Sequence, residues 1–486
     1  MPQQALKPDV QPADAKPAPP AGTQPTPPIK KAPSPVLIDT AVDREEILQL
    51  QQQAIARPAA VPKPHITKVA LASLIGTSIE WYDYFLYGTA AALVFNKLFF
   101  PKFDPLVGTL LALSTFTVGF IARPFGGLVF GHFGDRIGRK QMLYITLLFM
   151  GISSTIIGLL PTYAAIGIWA PILLVLMRIC QGIGLGGEWG GAVLMAVEHA
   201  PANRRGFYGA FPQTGAMVGG LLSTVAFLLV ARLKEADLLA WGWRLPFLFS
   251  IFLVVVGIWI RMKIAESPAF ERIKDQKAEA KMPVVEAIRN HPKNLLVAMG
   301  MRFAENGLYY IITVFSLTYC VTVLRLGKKA FLPGLIINYC IGFFAMLLYG
   351  HISDKIGRRA VYMWGAAVCG VLAFPFFWMM DKAPQNVLWG WLAIILMAQL
   401  GHSAMYGPQA SFFAELFPAR VRYSGASLGY QLASIFAGGM APLVATALLA
   451  KAHNKTWPVS LYMLSFVVIT IVAVIFAEET YKKTDV

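Results

Sequence analysis

Two carboxylates stand where so apolar a stretch would ordinarily have none. Glu80 and Asp83 lie within IEWYDYFLYG, about halfway along a long hydrophobic run. Spaced i, i+3, they share one face of a helix. A charged side chain deep in a membrane span costs about 2.5–3.5 kcal/mol on insertion scales, so one kept there is a functional candidate. Two desolvated carboxylates side by side disfavour double ionisation, which makes one of them hold a proton more readily than in water. That is proton-carrier chemistry; the alternative is a structural pair bonded to neighbouring helices. Two guanidinium groups follow in later apolar runs: Arg123 in ARPFGG, and Arg178 with Gln181 one turn on in RICQGIG. The planar guanidinium fork suits a carboxylate. That carboxylate is either a substrate's or one of Glu80 and Asp83 in a fixed internal salt bridge, and both pairings can hold at different stages of a cycle.

Further polar residues sit in apolar surroundings. Gln213 and Thr214 follow Pro212; Glu305 and Asn306 precede Tyr309 and Tyr310; Tyr406 and Gln409 bracket Pro408. Together with Gln181 they are candidates to line a cavity. Arg302, nearer the start of its run, is placed to snorkel to an interface. His402 reads first as a packing residue, and Tyr430 and Gln431 are weaker candidates still. Glu188 lies among Gly186, Gly187, Gly190 and Gly191, small residues that let two helices approach closely. GLGGEWGG resembles a dinucleotide fingerprint only superficially, because no strand precedes it. The chain has no phosphate loop, nucleophile elbow or metal-ligand cluster, so an enzyme, a cofactor and a metal are not expected.

A short polar motif occurs twice. GHFGDRIGRK runs from Gly131 to Lys140 and GHISDKIGRR from Gly350 to Arg359, nearly half a chain apart. Each copy has a glycine, an acid four residues on (Asp135, Asp354), a cation (Arg136, Lys355), a second glycine (Gly138, Gly357) and two cations (Arg139 and Lys140, Arg358 and Arg359). A basic loop alone would set orientation; the repeated glycine and acid spacing suits a latch of ion pairs between helix ends. Glu198 and Glu415 recur at almost the same offset, each followed by basic residues. The expectation is one charge cluster of Asp135, Arg139 and Glu198 and another of Asp354, Arg358 and Glu415, breaking and re-forming as two halves rock.

These features must be positioned by helices in a membrane. The chain has 486 residues, 56% of them hydrophobic and only 14% charged, against a quarter charged in ordinary soluble domains. The net charge of +16 could suggest nucleic acid, but the cations fall in loops and tails between apolar runs, and no nucleic-acid partner is expected. Hydropathy predicts an all-α integral membrane protein with about twelve spans: 66–95, 106–132, 139–160, 166–198, 206–231, 241–264, 293–324, 329–351, 358–380, 387–416, 422–450 and 456–478. The domains expected are a Pro-rich disordered tail (1–62), a first six-helix bundle (63–264), a basic linker (265–292), a second bundle (293–480) and a short C-terminal tail (481–486). Basic linker and motif loops put both termini in the cytoplasm. Trp241 and Trp243 fit an aromatic belt at the outer surface, and the four cysteines (Cys180, Cys320, Cys340, Cys369) read as buried structural thiols.

Several stretches together resemble a known family. EWYDYFLYG, RPFGG, GHFGDRIGRK, GGEWGGA, WGWRLPFLFS, ESPAF and ELFPARVRYSGASLGYQLA look like the metabolite:proton symporter family of the major facilitator superfamily, over roughly residues 66 to 480. The resemblance implies two six-helix bundles around a central cavity, alternating access coupled to proton entry, and a chain that works singly. The substrates it implies include shikimate, 2-oxoglutarate, citrate, related carboxylates, and proline or betaine. Two departures stand out: Ser353 replaces the glycine found as Gly134 in the first motif, and the Gly-Pro pair of antiporters is missing beside Pro212. The expectation is a proton-coupled importer of a small, carboxylate-bearing metabolite in a bacterial inner membrane. Glu80 and Asp83 would carry protons, and Arg123 and Arg178 would bind the anion in a wet chamber. A facilitator, a multidrug exporter and a nutrient sensor signalling through the tail are the alternatives.

Overall fold

In lipid every backbone N–H and C=O must be satisfied internally, and long apolar runs do this as helices. The computed structural model describes residues 66–137, 139–262 and 283–482, with the side chains of 134–139, 261, 328 and 329 outside the description. Most of the expected tail and linker therefore lie outside the described residues, as does the ESPAF stretch. Within Lys63–Val486, which form one unit, the described residues fold as twelve main helices in two sets of six. The first set is α1 (Ile66–Ala90), α2 (Pro105–Ile137), α3 (Arg139–Leu159), α4 (Trp169–His199), α5 (Arg205–Val230) and α6 (Arg244–Met262). A short helix, Pro283–Asn290, leads into the second set. This comprises α7 (Pro292–Tyr310), α8 (Lys328–Ile356), α9 (Arg358–Met380), α10 (Val387–Leu416), α11 (Arg422–Lys451) and α12 (Trp457–Phe476).

Among the described residues ten helices are long and apolar enough to cross a membrane, and α1 and α7 complete the twelve. These two carry Glu80 and Asp83, and Arg302 and Glu305, which lowers their hydropathy. Both also run on through π-helical turns, Ala91–Phe95 and Ile311–Phe315, into short helical ends. Such turns break the regular register and recur at functional sites.

In the first bundle α1 packs on α5, and α4 on α2 and α3; in the second, α7 and α9 pack on α12, and α8 on α10. The bundles meet where α5 lies against α8 and α10, and where α2 lies against α11. The outward faces are apolar and exposed, as lipid requires: Phe252, Phe344, Val371 and Phe476 are examples.

Two expectations need correction. Trp243 is not in a surface belt: its ring is fully buried against Phe95, Phe99 and Phe247, while Trp241 remains exposed. The π-helical turn Leu238–Gly242 just before it accounts for the rotation. All four cysteines are free, but only Cys320 and Cys369 are buried, and Cys340 is exposed on α8.

Candidate functional site

The site begins with a seam of glycines between α2 and α4. A Cβ at Gly182 would come within 2.1 Å of the Gly119 carbonyl oxygen, and one at Gly186 within 2.0 Å of the Arg123 carbonyl oxygen. Gly119 also makes room for Arg178, whose Nε would lie 2.5 Å from an added Cβ. The close approach brings Arg123 and Arg178 onto the same aromatic patch from two helices. The Arg123 guanidinium lies 4.2 Å from the Tyr84 ring centroid and 4.1 Å from that of Phe120. The Arg178 guanidinium lies 4.3 Å from Tyr84, 4.2 Å from Tyr87 and 4.9 Å from Phe116. Stacking on aromatic faces offsets part of the cost of burying a cation. Among the described residues no carboxylate pairs with either arginine, and Nε and Nη2 of each have no hydrogen-bond partner. Buried donors of this kind are expensive to leave empty.

A polar relay leads from Arg178 to one of the two acids. Arg178 Nη1 donates to Gln181 Oε1 (3.0 Å), and Gln181 Nε2 donates to Ser154 Oγ on α3 (2.6 Å). The Ser154 hydroxyl stands beside the Asp83 carboxylate, which also accepts a hydrogen bond from Ser250 of α6. Asp83 Oδ2 has no partner, so one oxygen of this carboxylate is held and the other is open to a proton. Glu80 is equally buried on α1.

The second bundle holds a denser cluster. Arg302 Nη1 forms an ion pair with Glu305 and donates to Gln409 Oε1 (3.1 Å). Gln409 Nε2 donates to Glu305 Oε2 (3.1 Å) and to the Tyr362 hydroxyl (2.8 Å). His402 Nε2 lies 3.2 Å from Glu305 Oε1. Arg302 does not snorkel: it is buried, with its guanidinium 3.4 Å from the Tyr430 ring centroid, because α7 turns that face toward α11 and away from lipid. Nor is His402 a packing residue alone. Its ring stacks on Tyr309 at 4.4 Å and its nitrogen reaches Glu305. Glu305 is thus engaged by three side chains, and Asn306, one residue on, keeps its Oδ1 without a partner.

Tyrosines join the halves. Tyr310 of α7 packs edge-on to Phe120 (5.1 Å) and Tyr84 (6.0 Å), within electrostatic reach of both Arg123 and Arg302. Trp189 stacks on Tyr430 at 3.8 Å and donates to Gln213 Oε1 (2.9 Å), while Gln213 Nε2 donates to the Tyr406 carbonyl (3.2 Å). Gln431 donates to the Gly186 carbonyl (3.1 Å). On the other side of the centre Thr117 donates to the Gly439 carbonyl (2.7 Å), and Phe85 packs on Tyr309 (5.7 Å). The expected wet chamber is therefore not open here: Glu80, Asp83, Arg123 and Arg178 are each 1% exposed or less. Rings from both bundles close over the two arginines, and reaching them requires the bundles to part.

The first part of the chain, residues 68–295, matches the family model described as "Sugar (and other) transporter", and residues 335–485 match the model for the Major Facilitator Superfamily. The chain is 41% identical to the "Shikimate transporter" of Escherichia coli K12, over 85% of this chain and 95% of that protein. It is 34% identical to the "Glycine betaine/proline/ectoine/pipecolic acid transporter OusA" of Dickeya dadantii, over 86% and 84%. The chain belongs to the major facilitator superfamily. In fold it is similar to the proton:xylose symporter XylE bound to 6-bromo-6-deoxy-D-glucose, with a TM-score of 0.69 at 19% identity, covering 87% of this chain and 98% of that one. The resemblance expected from the motifs is borne out, and with it a multi-pass membrane transporter rather than an enzyme.

The two motif loops of this transporter lie at one end of the bundles, and the second is laid out in full. Arg358 pairs with Asp354 (2.8 Å) and Glu415 (3.1 Å) and donates to Ser353 Oγ (2.8 Å), the serine that departs from the first copy. Asp354 crosses to the first bundle, where it accepts from the Gly206 and Phe207 backbone N–H groups (2.8 and 2.9 Å) at the start of α5. An acid at a helix N-terminus is favourable on both hydrogen-bond and dipole grounds. Gly206 and Gly350 face each other so closely that a Cβ at either would lie within 2.6 Å of the other's carbonyl oxygen.

Less was foreseeable from spacing near the end of the chain. The Glu479 carboxylate accepts from the Arg358 and Arg359 N–H groups (2.9 and 3.0 Å), and Thr480 donates to Glu415 (2.6 Å). In the first copy Gly131 lies 3.5 Å from the Tyr423 ring, by its added Cβ, and Lys140 reaches the Met262 carbonyl (3.2 Å). Asp135, Arg136, Gly138 and Arg139 fall outside the described residues or side chains, so the first cluster is not laid out. Its third member, Glu198, lies 3.5 Å from Arg422 across the interface. Lys355 points outward, exposed.

Proposed function

We propose that this transporter is a proton-coupled symporter that imports a small carboxylate-bearing metabolite across a bacterial inner membrane by alternating access, with both termini in the cytoplasm. The observation that carries the reading is the pair of buried guanidinium groups with empty donors, one of them linked through Gln181 and Ser154 to the Asp83 carboxylate. An anion arriving between the bundles fills the open donors of Arg123, and proton uptake at Asp83 offsets its charge. Arg178 is bound into the relay, so it serves as the link by which anion binding and protonation sense each other; Arg123, stacked but donating little, is the direct ligand. Gln213, Asn306, Tyr406 and Gln409 line the same interface, and Glu80 is the second candidate for the proton.

The names of the relatives support a carboxylate, and shikimate is the natural first probe. A betaine or proline cargo is less well matched, because the rings that could cage a quaternary ammonium already carry arginines. The test is uptake of labelled shikimate into proteoliposomes with an imposed pH gradient. Accumulation above equilibrium, abolished by a protonophore, is expected. Equilibration indifferent to the gradient would make this chain a facilitator, and transport of lipophilic cations in its place would make it an exporter.

A further inference from the structure

One buried acid–base pair has no part in the reading above. Glu305 and His402, 97 residues apart in sequence, meet at 3.2 Å with side chains only 3% and 2% exposed. We infer that Glu305 and His402 form a second proton-binding site, one per bundle with Asp83, filled when a substrate carboxylate draws Arg302 away from Glu305. The inference rests on the proton-coupled reading and deepens it.

Charge balance is the basis. With Arg302 on Glu305 the cluster carries one positive and one negative charge and needs no proton. The groups facing the pair are Arg302 and Tyr309 from α7, Tyr362 from α9, Tyr406 from α10 and Tyr430 from α11. Behind Tyr309 stands Tyr339 of α8, and beyond Tyr310 lies Arg123 of α2. Phenols stay neutral across the range where carboxylates and imidazoles exchange protons, so the position of Arg302 sets the charge the pair experiences.

Arg302 is built to be shared. Its Nη1 serves both Glu305 and Gln409, its Nε has no hydrogen-bond partner, and its flat face lies on the Tyr430 ring. Tyr310 spans the distance between it and Arg123, so an anion held by Arg123 lies on the side to which Arg302 can turn. Once Arg302 turns, Glu305 is a buried carboxylate without a counter-charge, a costly state. A proton entering the His402–Glu305 hydrogen bond restores neutrality: it adds to the imidazole, whose positive charge then balances the Glu305 carboxylate. It leaves when Arg302 returns. By linkage, substrate then raises proton affinity at the pair and protons raise substrate affinity by the same factor. The site is rigid enough for this, since the His402 ring stacks on Tyr309 and lies 5.2 Å from Tyr406, at the end of the π-helical turn Met397–His402.

The test is the static-head accumulation of labelled shikimate in proteoliposomes with the membrane potential clamped at zero and a gradient of about one pH unit. Two protons per substrate give a ratio near the square of the proton gradient, about hundredfold; one gives about tenfold. Wild type is expected near the higher value, and His402→Gln, which keeps a hydrogen bond to Glu305, near the lower. A wild type at tenfold, or a His402→Gln variant matching a wild type at hundredfold, overturns the inference while leaving proton coupling intact. A wild type that equilibrates shikimate without regard to the gradient removes the parent reading instead. A second measurement does not need the variant to transport. In protein labelled with 15N-histidine, the resonance lost in His402→Gln should move toward the protonated form when shikimate is added at constant pH. A ring whose protonation does not respond also overturns the inference.

Discussion

Trp189 of α4 lies flat on Tyr430 of α11, their ring centroids 3.8 Å apart and their planes 19° from parallel. The stack joins two bundles that must separate for cargo to pass, and Arg302 covers the other face of Tyr430 at 3.4 Å. Trp189→Ala should therefore loosen the closed form as well as the fold. Truncating a buried tryptophan costs about 3–5 kcal/mol, read as a fall in thermal unfolding temperature in detergent. Trp189→Phe keeps a ring but strands the Gln213 oxygen, for a smaller loss of about 1 kcal/mol. Equal losses in the two variants would show that the ring contributes nothing beyond its hydrogen bond.

Arg123 should dominate affinity. Charge-assisted hydrogen bonds are worth about 1.5–3 kcal/mol, so Arg123→Gln is expected to raise the KM for the anionic substrate by roughly ten- to hundredfold. Arg123→Lys should recover only part of this, because an ammonium lacks the fork and stacks poorly on Tyr84 and Phe120. Uptake kinetics in proteoliposomes decide it. An unchanged KM in Arg123→Gln would move the anion site elsewhere.

Gly206 and Gly350 set how closely α5 and α8 can approach at the motif end. In Gly206→Ala the new methyl would meet Arg358 Nη1 at 2.4 Å and the Gly350 carbonyl oxygen at 2.5 Å. The variant should favour the form open at the motif end. Spin labels placed on the two bundles would report longer distances there, and an unchanged distance distribution would mean that this contact does not govern closure.

Arg358 balances two buried acids, Asp354 and Glu415. Breaking a buried pair from one side costs about 3–5 kcal/mol because the remaining charge is left uncompensated. Arg358→Gln should thus unfold at lower temperature than wild type by a margin that Glu415→Gln, which removes one acid and keeps the cation paired to Asp354, does not reach. The comparison is made by thermal unfolding of the two purified variants, and equal destabilisation would contradict it.

Twelve helices and two matching halves were legible in the sequence, since apolar runs of membrane length and a repeated motif are one-dimensional signals. Arg123 and Arg178 stood out for the same reason: a guanidinium inside such a run is conspicuous. What surrounds them was not legible, because helix rotation and tilt are set by packing rather than by hydropathy. Ser154 and Ser250 look like ordinary helix serines until α3 and α6 bring them to Asp83. His402 looks like a packing residue until α10 brings it to Glu305 on α7. Arg302 was misread as an interfacial cation because distance from the helix start carries no information about which face is buried. Tyr84 and Tyr87, one turn apart beside Asp83, were the signal that could have marked the arginine platform.

The central claim is that Asp83 carries a proton in step with cargo, and Asp83→Asn addresses it most directly. Asparagine keeps an acceptor for Ser250 but holds no titrating proton. In proteoliposomes with an inward proton gradient, wild type should concentrate labelled shikimate above equilibrium. Asp83→Asn should still exchange labelled for unlabelled shikimate across the membrane but concentrate it about tenfold less than wild type for each pH unit of gradient, the factor that one proton supplies. An Asp83→Asn protein that accumulates shikimate as wild type does would contradict the account.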